Sequence, residues 1–387
     1  MHTHVRLITS ILLGAGIAAA ISACGGGGGN GSGNPYNPMS TTPPPTSTTP
    51  PPAVSSVFSA TDLVTDSGSA AAHVDPHLIN GWGIAFNPKG FVWVADQGTS
   101  TSTLYDGQGV PQSLVVTVPA PAGGGNAGPT GIVFNGTQDF KVTQNGASGV
   151  AAFIFVGTGG TVSGWSPSVN GTQAITMVDT AASGAPSAYT GLAQSSYASV
   201  NYLYAADFRN NRVDVYDPSW KKVTLPGGSF TDPNLPAGYG PYGIQAIGNR
   251  IYVTYAQHAP SGPRANRGPG LGIIDVFDTS GAMLNRFATG GPLNAPWGVA
   301  QAPANFGSFG NMLLVGNFGD GKINVYDPSS GAQVGTLSKA DKTPIVIDGV
   351  WGIAFGNGIN GQPTNTLFYA AGPADETHGR YGRIDPQ

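Results

Sequence analysis

A three-residue unit recurs six times along the chain: a bulky or hydroxyl residue, then glycine, then a branched aliphatic. It reads Trp82-Gly83-Ile84, Thr130-Gly131-Ile132, Thr190-Gly191-Leu192, Tyr242-Gly243-Ile244, Trp297-Gly298-Val299 and Trp351-Gly352-Ile353, with steps of 48, 60, 52, 55 and 54 residues between successive glycines. A period near 50 residues without helical patterning indicates propeller blades rather than the turns of a short-repeat solenoid. Composition agrees, because 60 Gly and 32 Pro with only 9% charged residues would be poorly tolerated in helices.

Every unit is followed by a second short strand, bounded by Gly, Asn or Asp: Val92–Asp96, Phe153–Gly157, Leu203–Asp207, Ile251–Tyr255, Leu313–Asn317 and Leu367–Ala371. A third strand alternates into an Asp-led turn, as in Arg212–Asp217 before Pro218 and Lys322–Asp327 before Pro328, and a fourth is read in Leu114–Val118 and Met283–Phe287. Four antiparallel strands per unit predict an all-β, six-bladed propeller over residues 56–387. The last repeat ends at Asp385-Pro386-Gln387, in register with the third-strand turns, so its fourth strand must come from elsewhere. Residues 57–66 precede the first unit and have no blade of their own. Pairing them with the C-terminal strands would close the ring and cover an edge that otherwise invites aggregation.

The segment before the propeller has a different character. Arg6 is followed by an apolar run from Leu7 to Ala20 and then Ile21-Ser22-Ala23-Cys24, which reads as a signal peptide over residues 1–23. Small residues before a lone Cys resemble the bacterial lipobox, which implies acylation of Cys24 and a lipid anchor as the membrane partner. Residues 24–55 run from a glycine tract into a Thr/Pro tract and are expected to form a spacer without a core. Gly25 after the Cys, instead of Asp, favours the outer membrane in a Gram-negative cell by resemblance to lipoprotein sorting. The expected location is therefore the cell envelope, after export. A net charge of −4 and scattered basic residues leave no footprint for nucleic acid.

Function in a propeller is expected where loops converge on the channel mouth. Trp82, Tyr242, Trp297 and Trp351, the aromatic residues before the unit glycines, are candidates for a platform that binds a sugar or another flat ligand, or else wedges that pack blades together. His73, Asp75 and His77 carry metal-ligand chemistry, although Pro76 breaks the regular strand spacing and a loop role is preferred. Asn294 and Asp348, like Asn80, stand two to three residues before a Trp and with His73 and Asp75 form a candidate set for Ca²⁺ or another divalent cation. Asp96, Asp207 and Asn317 recur at matching strand ends and read as fold requirements. No Gly-x-Ser-x-Gly elbow, Cys nucleophile or phosphate loop lies in the mature chain.

With these residues in view, Ala206-Asp207-Phe208-Arg209-Asn210-Asn211-Arg212-Val213-Asp214-Val215-Tyr216-Asp217 resembles an NHL-type blade. The stretches 72–86, 291–299 and 316–321 are similar to an uncharacterised bacterial family of secreted six-bladed propellers. That resemblance implies fold and export over residues 57–387 and transfers no catalytic residue. Two functions follow as expectations. The first is a membrane-tethered recognition or scaffolding module, without enzymatic activity, for a glycan, peptide or envelope protein. The second is a metal-dependent lactonase-like hydrolase or lyase, for which Glu376, the single Glu of the chain, is the one Glu available.

Overall fold

The computed structural model describes residues 56–181, 183–260 and 264–387. The expected signal peptide, Cys24 and the Gly/Pro-rich spacer lie outside the described residues. Six antiparallel sheets form the blades of a six-bladed β-propeller, and each begins with the strand that carries the glycine unit. In the third blade, for example, Tyr189–Tyr197 pairs with Val200–Asp207, then Arg212–Tyr216, then the short Lys222–Val223. The 60-residue step is explained by an extra hairpin, Lys141–Gln144 with Ala147–Val150, inserted between the first two strands of the second blade. The expected fourth strand at Leu114–Val118 is shorter than read, since only Val116–Thr117 pairs with its neighbour.

Ring closure follows the expected route. Phe58–Thr65 pairs antiparallel with Arg380–Pro386, matching Phe58 to Pro386 and Ala60 to Ile384. A two-residue strand, His73–Val74, then adds in parallel at the outer edge of this sheet. Phe58 is 1% exposed and packs on Phe306 and Phe309 of the fifth blade, so the closing strand is also a core element. Burying such a side chain contributes roughly 1.5–3 kcal/mol. The closed seam is further tied to the first blade by Asn357 Nδ2, which donates to the carbonyls of Asn87 at 2.7 Å and Gly90 at 2.9 Å.

The second strand of each blade is buried on both faces, as the fully buried Val92–Asp96 and Leu367–Ala371 show. This is why these strands read as continuous apolar runs rather than alternating ones. Each blade face meets the next blade through its own cluster, such as Trp93 with Phe153 and Trp165 between the first and second blades. A separate aromatic cluster sits on the axis and contains Trp82, Tyr242, Trp297 and Trp351.

The unit glycines form a second closed ring inside the first. A methyl group on Gly83 would strike the Thr130 carbonyl, one on Gly131 the backbone of Leu192, one on Gly243 the Trp297 carbonyl, and one on Gly298 the Trp351 carbonyl. On Gly352 it would stand 2.6 Å from the carbonyl oxygen of Trp82, which returns the contact to the first blade. Gly191 is the loosest link, with its nearest neighbour at 3.1 Å. The innermost strands thus approach backbone to backbone, which only glycine permits.

This crowding predicts a graded response to alanine. Gly243→Ala and Gly83→Ala should each destabilise the propeller by about 2–4 kcal/mol, because the obstacle is backbone that cannot rotate away. Gly191→Ala should cost about 1 kcal/mol or less, and Gly171→Ala, whose methyl would meet open space, should be neutral. Chemical denaturation of the four variants checks the order; equal costs would refute a backbone-limited ring.

Candidate functional site

The glycine ring divides the central channel. At the waist, Gly83, Gly131, Gly298 and Gly352 together with Ile84, Ile132 and Val299 leave a void of only about 30 Å³, room for about one water. On the side where the innermost strands end, an open hollow of about 570 Å³ is rimmed by Phe86, Phe134 and Phe355. Where those strands begin lies a deeper cup of about 640 Å³, lined by Trp82, Tyr242, Phe208, Phe318 and a set of charged side chains. The cup combines aromatic residues with convergent polar groups in the manner of a small-molecule site.

The four aromatic candidates are brought together, and they make the floor of the cup. Trp351 is fully buried and sandwiched between Trp82, with ring centroids 3.6 Å apart, and Phe318, 3.8 Å apart. Trp297 meets both Trp82 and Trp351 edge-on, and Tyr242 leans on Trp351 with centroids 5.7 Å apart. Only Trp82 and Tyr242 of the four line the cup itself. Trp297 Nε1 donates to the Thr190 carbonyl at 2.7 Å, whereas Trp82 Nε1 is buried without a protein partner among the described residues. Burial, with the Glu376 charge adding to it, pushes the Tyr242 phenol well above its ordinary range, so Tyr242 serves as a neutral hydroxyl.

Asn80 joins this floor to the wall. Buried and in a left-handed conformation (φ 50°), it accepts from Trp351 Nε1 at 2.9 Å. Its Nδ2 donates to Gln97 Oε1 at 3.1 Å and to Glu376 Oε2 at 3.3 Å. Glu376 arrives on a turn with an unusual backbone: Ala374, Asp375 and Glu376 are consecutive non-glycine residues at φ 53°, 54° and 71°. Such conformations cost of order 1–3 kcal/mol each and persist where surrounding structure enforces them. Here Asp348 Oδ2 accepts from the Ala374 N–H at 2.9 Å, and the Glu376 N–H donates to the Gly372 carbonyl at 3.2 Å. Burial raises the Glu376 carboxyl pKa, against the opposing effect of Arg264, Arg267 and the Asn80 hydrogen bond.

Facing this turn are two arginines of the fourth blade. Arg264 Nη1 lies 3.7 Å from Glu376 Oε1, and Arg267 Nη1 lies 3.0 Å from Asp375 Oδ1. The Arg267 guanidinium also covers the Phe318 ring, 4.3 Å from its centroid. On the same fourth-blade connection as the two arginines, His258 stacks on Phe208 with centroids 4.0 Å apart and contacts Asn211 Oδ1 at 2.6 Å. Partial burial lowers the His258 pKa, which favours the neutral imidazole at physiological pH.

The four candidate metal ligands occupy different places. His73 lies on the outermost strand of the closing sheet, while Asp75 accepts from Tyr105 Oη and from the backbone N–H of His77, both at 3.0 Å. Asn294 Oδ1 accepts from the Gly268 N–H at 2.7 Å, fixing the loop that carries Arg267, just as Asp348 fixes the turn that carries Glu376. Asn294 and Asp348 therefore position the charged wall from the loops beneath it. Among the described residues, no three His, Cys, Asp or Glu side chains are grouped to hold a metal. At the matching strand ends, Asp207 accepts from the Ala188 N–H at 3.0 Å and Asn317 from the Asn294 N–H at 3.2 Å, each tying a second strand to the loop that enters the first.

Arg209, Arg264, Arg267 and His258 do not stand out in the sequence. A signal is present in the connections between second and third strands: 4, 3, 4 and 5 residues in the first, second, third and fifth blades, but 15 in the fourth and 8 in the sixth. The two long connections deliver Arg264, Arg267, Asp375 and Glu376.

No family model matches the chain. It is 33% identical over 326 residues to "Uncharacterized protein R648" of Acanthamoeba polyphaga mimivirus, spanning 83% of this chain and 78% of that protein. It is also 34% identical over 299 residues to "Uncharacterized protein L690" of the same virus, spanning 76% and 77% of the two chains. The chain belongs to the family of these mimivirus proteins, whereas its sequence resemblance implies a bacterial family. Among solved structures, a Bacteroides thetaiotaomicron protein of unknown function shares the fold, with a TM-score of 0.52 and 13% identity over 85% of this chain and 76% of that one.

The Asn80 junction yields a stability prediction. Asn80→Ala removes the acceptor of a buried indole N–H, strips the amide donor from Gln97 and Glu376, and places alanine, which tolerates the left-handed region less well than asparagine, at positive φ. A loss of about 2–4 kcal/mol is expected. Linear extrapolation from urea unfolding measures it; a change below about 1 kcal/mol would mean that the junction is not the strut described.

Proposed function

We propose that this protein is a recognition module, exported and tethered to a bacterial cell envelope through acylated Cys24, which holds a small ligand in the cup at its channel rim. The observation that carries the reading is the cup's shape and lining. It is a dead-ended hollow of about 640 Å³ whose floor is a prepacked aromatic stack and whose charged side chains converge from three blades. A floor already packed in the free protein loses little entropy on binding, which favours recognition. The strained turn under Glu376 supports the same reading, because backbone strain concentrates at functional sites. Export and anchoring rest on residues 7–24, where an apolar run ends in Ser22-Ala23-Cys24.

The lactonase-like alternative is less well served. A divalent cation in the cup would share it with three guanidinium groups, and Glu376 and Asp375 already lie within ion-pair distance of two of them. Recruiting those carboxylates to a metal would leave Arg264 and Arg267 uncompensated.

Two measurements test the proposal on the full chain. Titration with a panel of glycans and short peptides should produce saturable quenching of tryptophan fluorescence, since Trp82, Trp297 and Trp351 all underlie the cup; a panel without any response counts against the recognition reading. Cys24→Ser should move the protein from the detergent-soluble membrane fraction to the aqueous fraction. Retention of the variant in the membrane would overturn the lipid anchor.

A further inference from the structure

We propose that the ligand of the cup is a carboxylate-bearing sugar, with its carboxylate held by Arg209 and its hydroxyls facing Glu376. This deepens the recognition reading and rests on it. The cup gathers three guanidinium groups, from Arg209, Arg264 and Arg267, but only two carboxylates, from Asp375 and Glu376. Arg264 and Arg267 are matched to those carboxylates. Arg209 is not: its Nη1 makes one long contact, 3.5 Å to the Pro186 carbonyl, and no carboxylate among the described residues lies within ion-pair distance. An arginine fork left open beside a cavity is suited to bidentate capture of a carboxylate.

The charges are also separated in space. Arg209 follows the second strand of the third blade and Glu376 the second strand of the sixth, so they stand on opposite sides of a six-membered ring. A ligand that spans the cup meets a cation on one side and a hydrogen-bond acceptor on the other. At Glu376 and Asp375 the carboxylates are already matched by Arg264 and Arg267, so no unpaired cation there among the described residues would hold a second anionic group, and a fully neutral ligand would leave Arg209 unmatched. One carboxylate together with several hydroxyl donors satisfies both.

The aromatic groups favour a sugar over a flat aromatic acid. Both faces of Trp351 are covered, by Trp82 and Phe318, and the outer face of Phe318 is covered by Arg267. One face of Phe208 is taken by His258. Between the stacked rings of Trp82, Trp351 and Phe318 no slot remains for a planar ring to enter. What the cup offers is a firm apolar floor with Gln97, Thr158 and His258 around it, which is hydrogen-bonding capacity suited to hydroxyls.

The test compares ligands that differ only in charge. Calorimetric titration of the full chain would use a galacturonate trisaccharide and a glucuronate disaccharide, each against its methyl ester, with benzoate as a flat carboxylate. The wild type is expected to bind at least one acid at least about tenfold more tightly than its ester. Arg209→Gln should lose about 10- to 100-fold for that acid and much less for its ester, so that the preference for the acid disappears, as expected for one charge-assisted hydrogen-bonding group. Arg209→Lys should recover part of the loss. Melting temperatures equal to the wild type would show that the variants fold. Equal binding of acid and ester, or an Arg209→Gln variant that still prefers the acid, overturns this proposal and leaves the cup a sugar-binding site. Benzoate binding as tight as the acids overturns the sugar assignment. Silence with every acid and ester also overturns it, and the recognition reading then stands or falls on the wider glycan and peptide panel.

Discussion

The close approach of backbone to backbone around the channel axis is the constraint on which the rest of this molecule depends. Each unit glycine lies against the corresponding segment of the next blade, and the sequence of contacts returns from Gly352 to Trp82 after one turn. A side chain at any tight position would push the inner strands apart, which would widen the waist and loosen the clusters between blades. Because the ring is drawn tight, the channel closes at its middle and becomes two separate hollows. The larger one is a cup with a floor rather than part of an open passage.

The residue before each glycine inherits a role from this crowding. It stands at the inner edge of the waist, where large side chains can meet across the axis. Trp82, Trp297, Trp351 and Tyr242 do so, while Thr130 and Thr190 occupy the same position in the second and third blades. Thr130 Oγ1 instead donates to the Tyr189 carbonyl of the neighbouring blade at 2.8 Å. Six large aromatics would overfill the axis; four with two small hydroxyl residues leave the floor packed and the third-blade side open toward Phe208 and Arg209. Departures from six-fold repetition are thus what give the cup a direction.

That contrast also explains how much the chain alone reveals. The unit glycines, the second strands and the unpaired third strand at Asp385-Pro386 all repeat, so blade number and ring closure are legible in the amino-acid sequence. So is the set of aromatic residues before the glycines, although not the enclosure of Trp351 on both faces. Of the charged wall only Glu376, the single Glu of the chain, stands out in the sequence, because Arg209, Arg264, Arg267 and Asp375 mark no repeat and converge with it only through the ring. Asn294 and Asp348 carry metal-type oxygens and stand out by their place before Trp297 and Trp351. They do act as acceptors, but what they accept from is the backbone of Gly268 and Ala374. Sequence position cannot show this, since both partners lie in long connections whose paths no repeat dictates.

The two long connections also account for the energetics of the site. A short strand-to-strand turn keeps close to its own blade, whereas the 15-residue connection of the fourth blade and the 8-residue connection of the sixth can lean over the axis. Leaning inward brings Glu376 out of bulk water, which raises the cost of its charge, and the left-handed turn at 374–376 adds backbone strain. Both costs are offset by partners from other parts of the ring: Arg264 and Arg267 from the fourth blade, Asn80 from the entry to the first, and Asp348 from the loop before the sixth. A carboxylate held this way is fixed in direction and already partly desolvated. The same burial that makes Glu376 costly to place makes those partners necessary, because a buried carboxylate without matched donors would carry its full desolvation penalty.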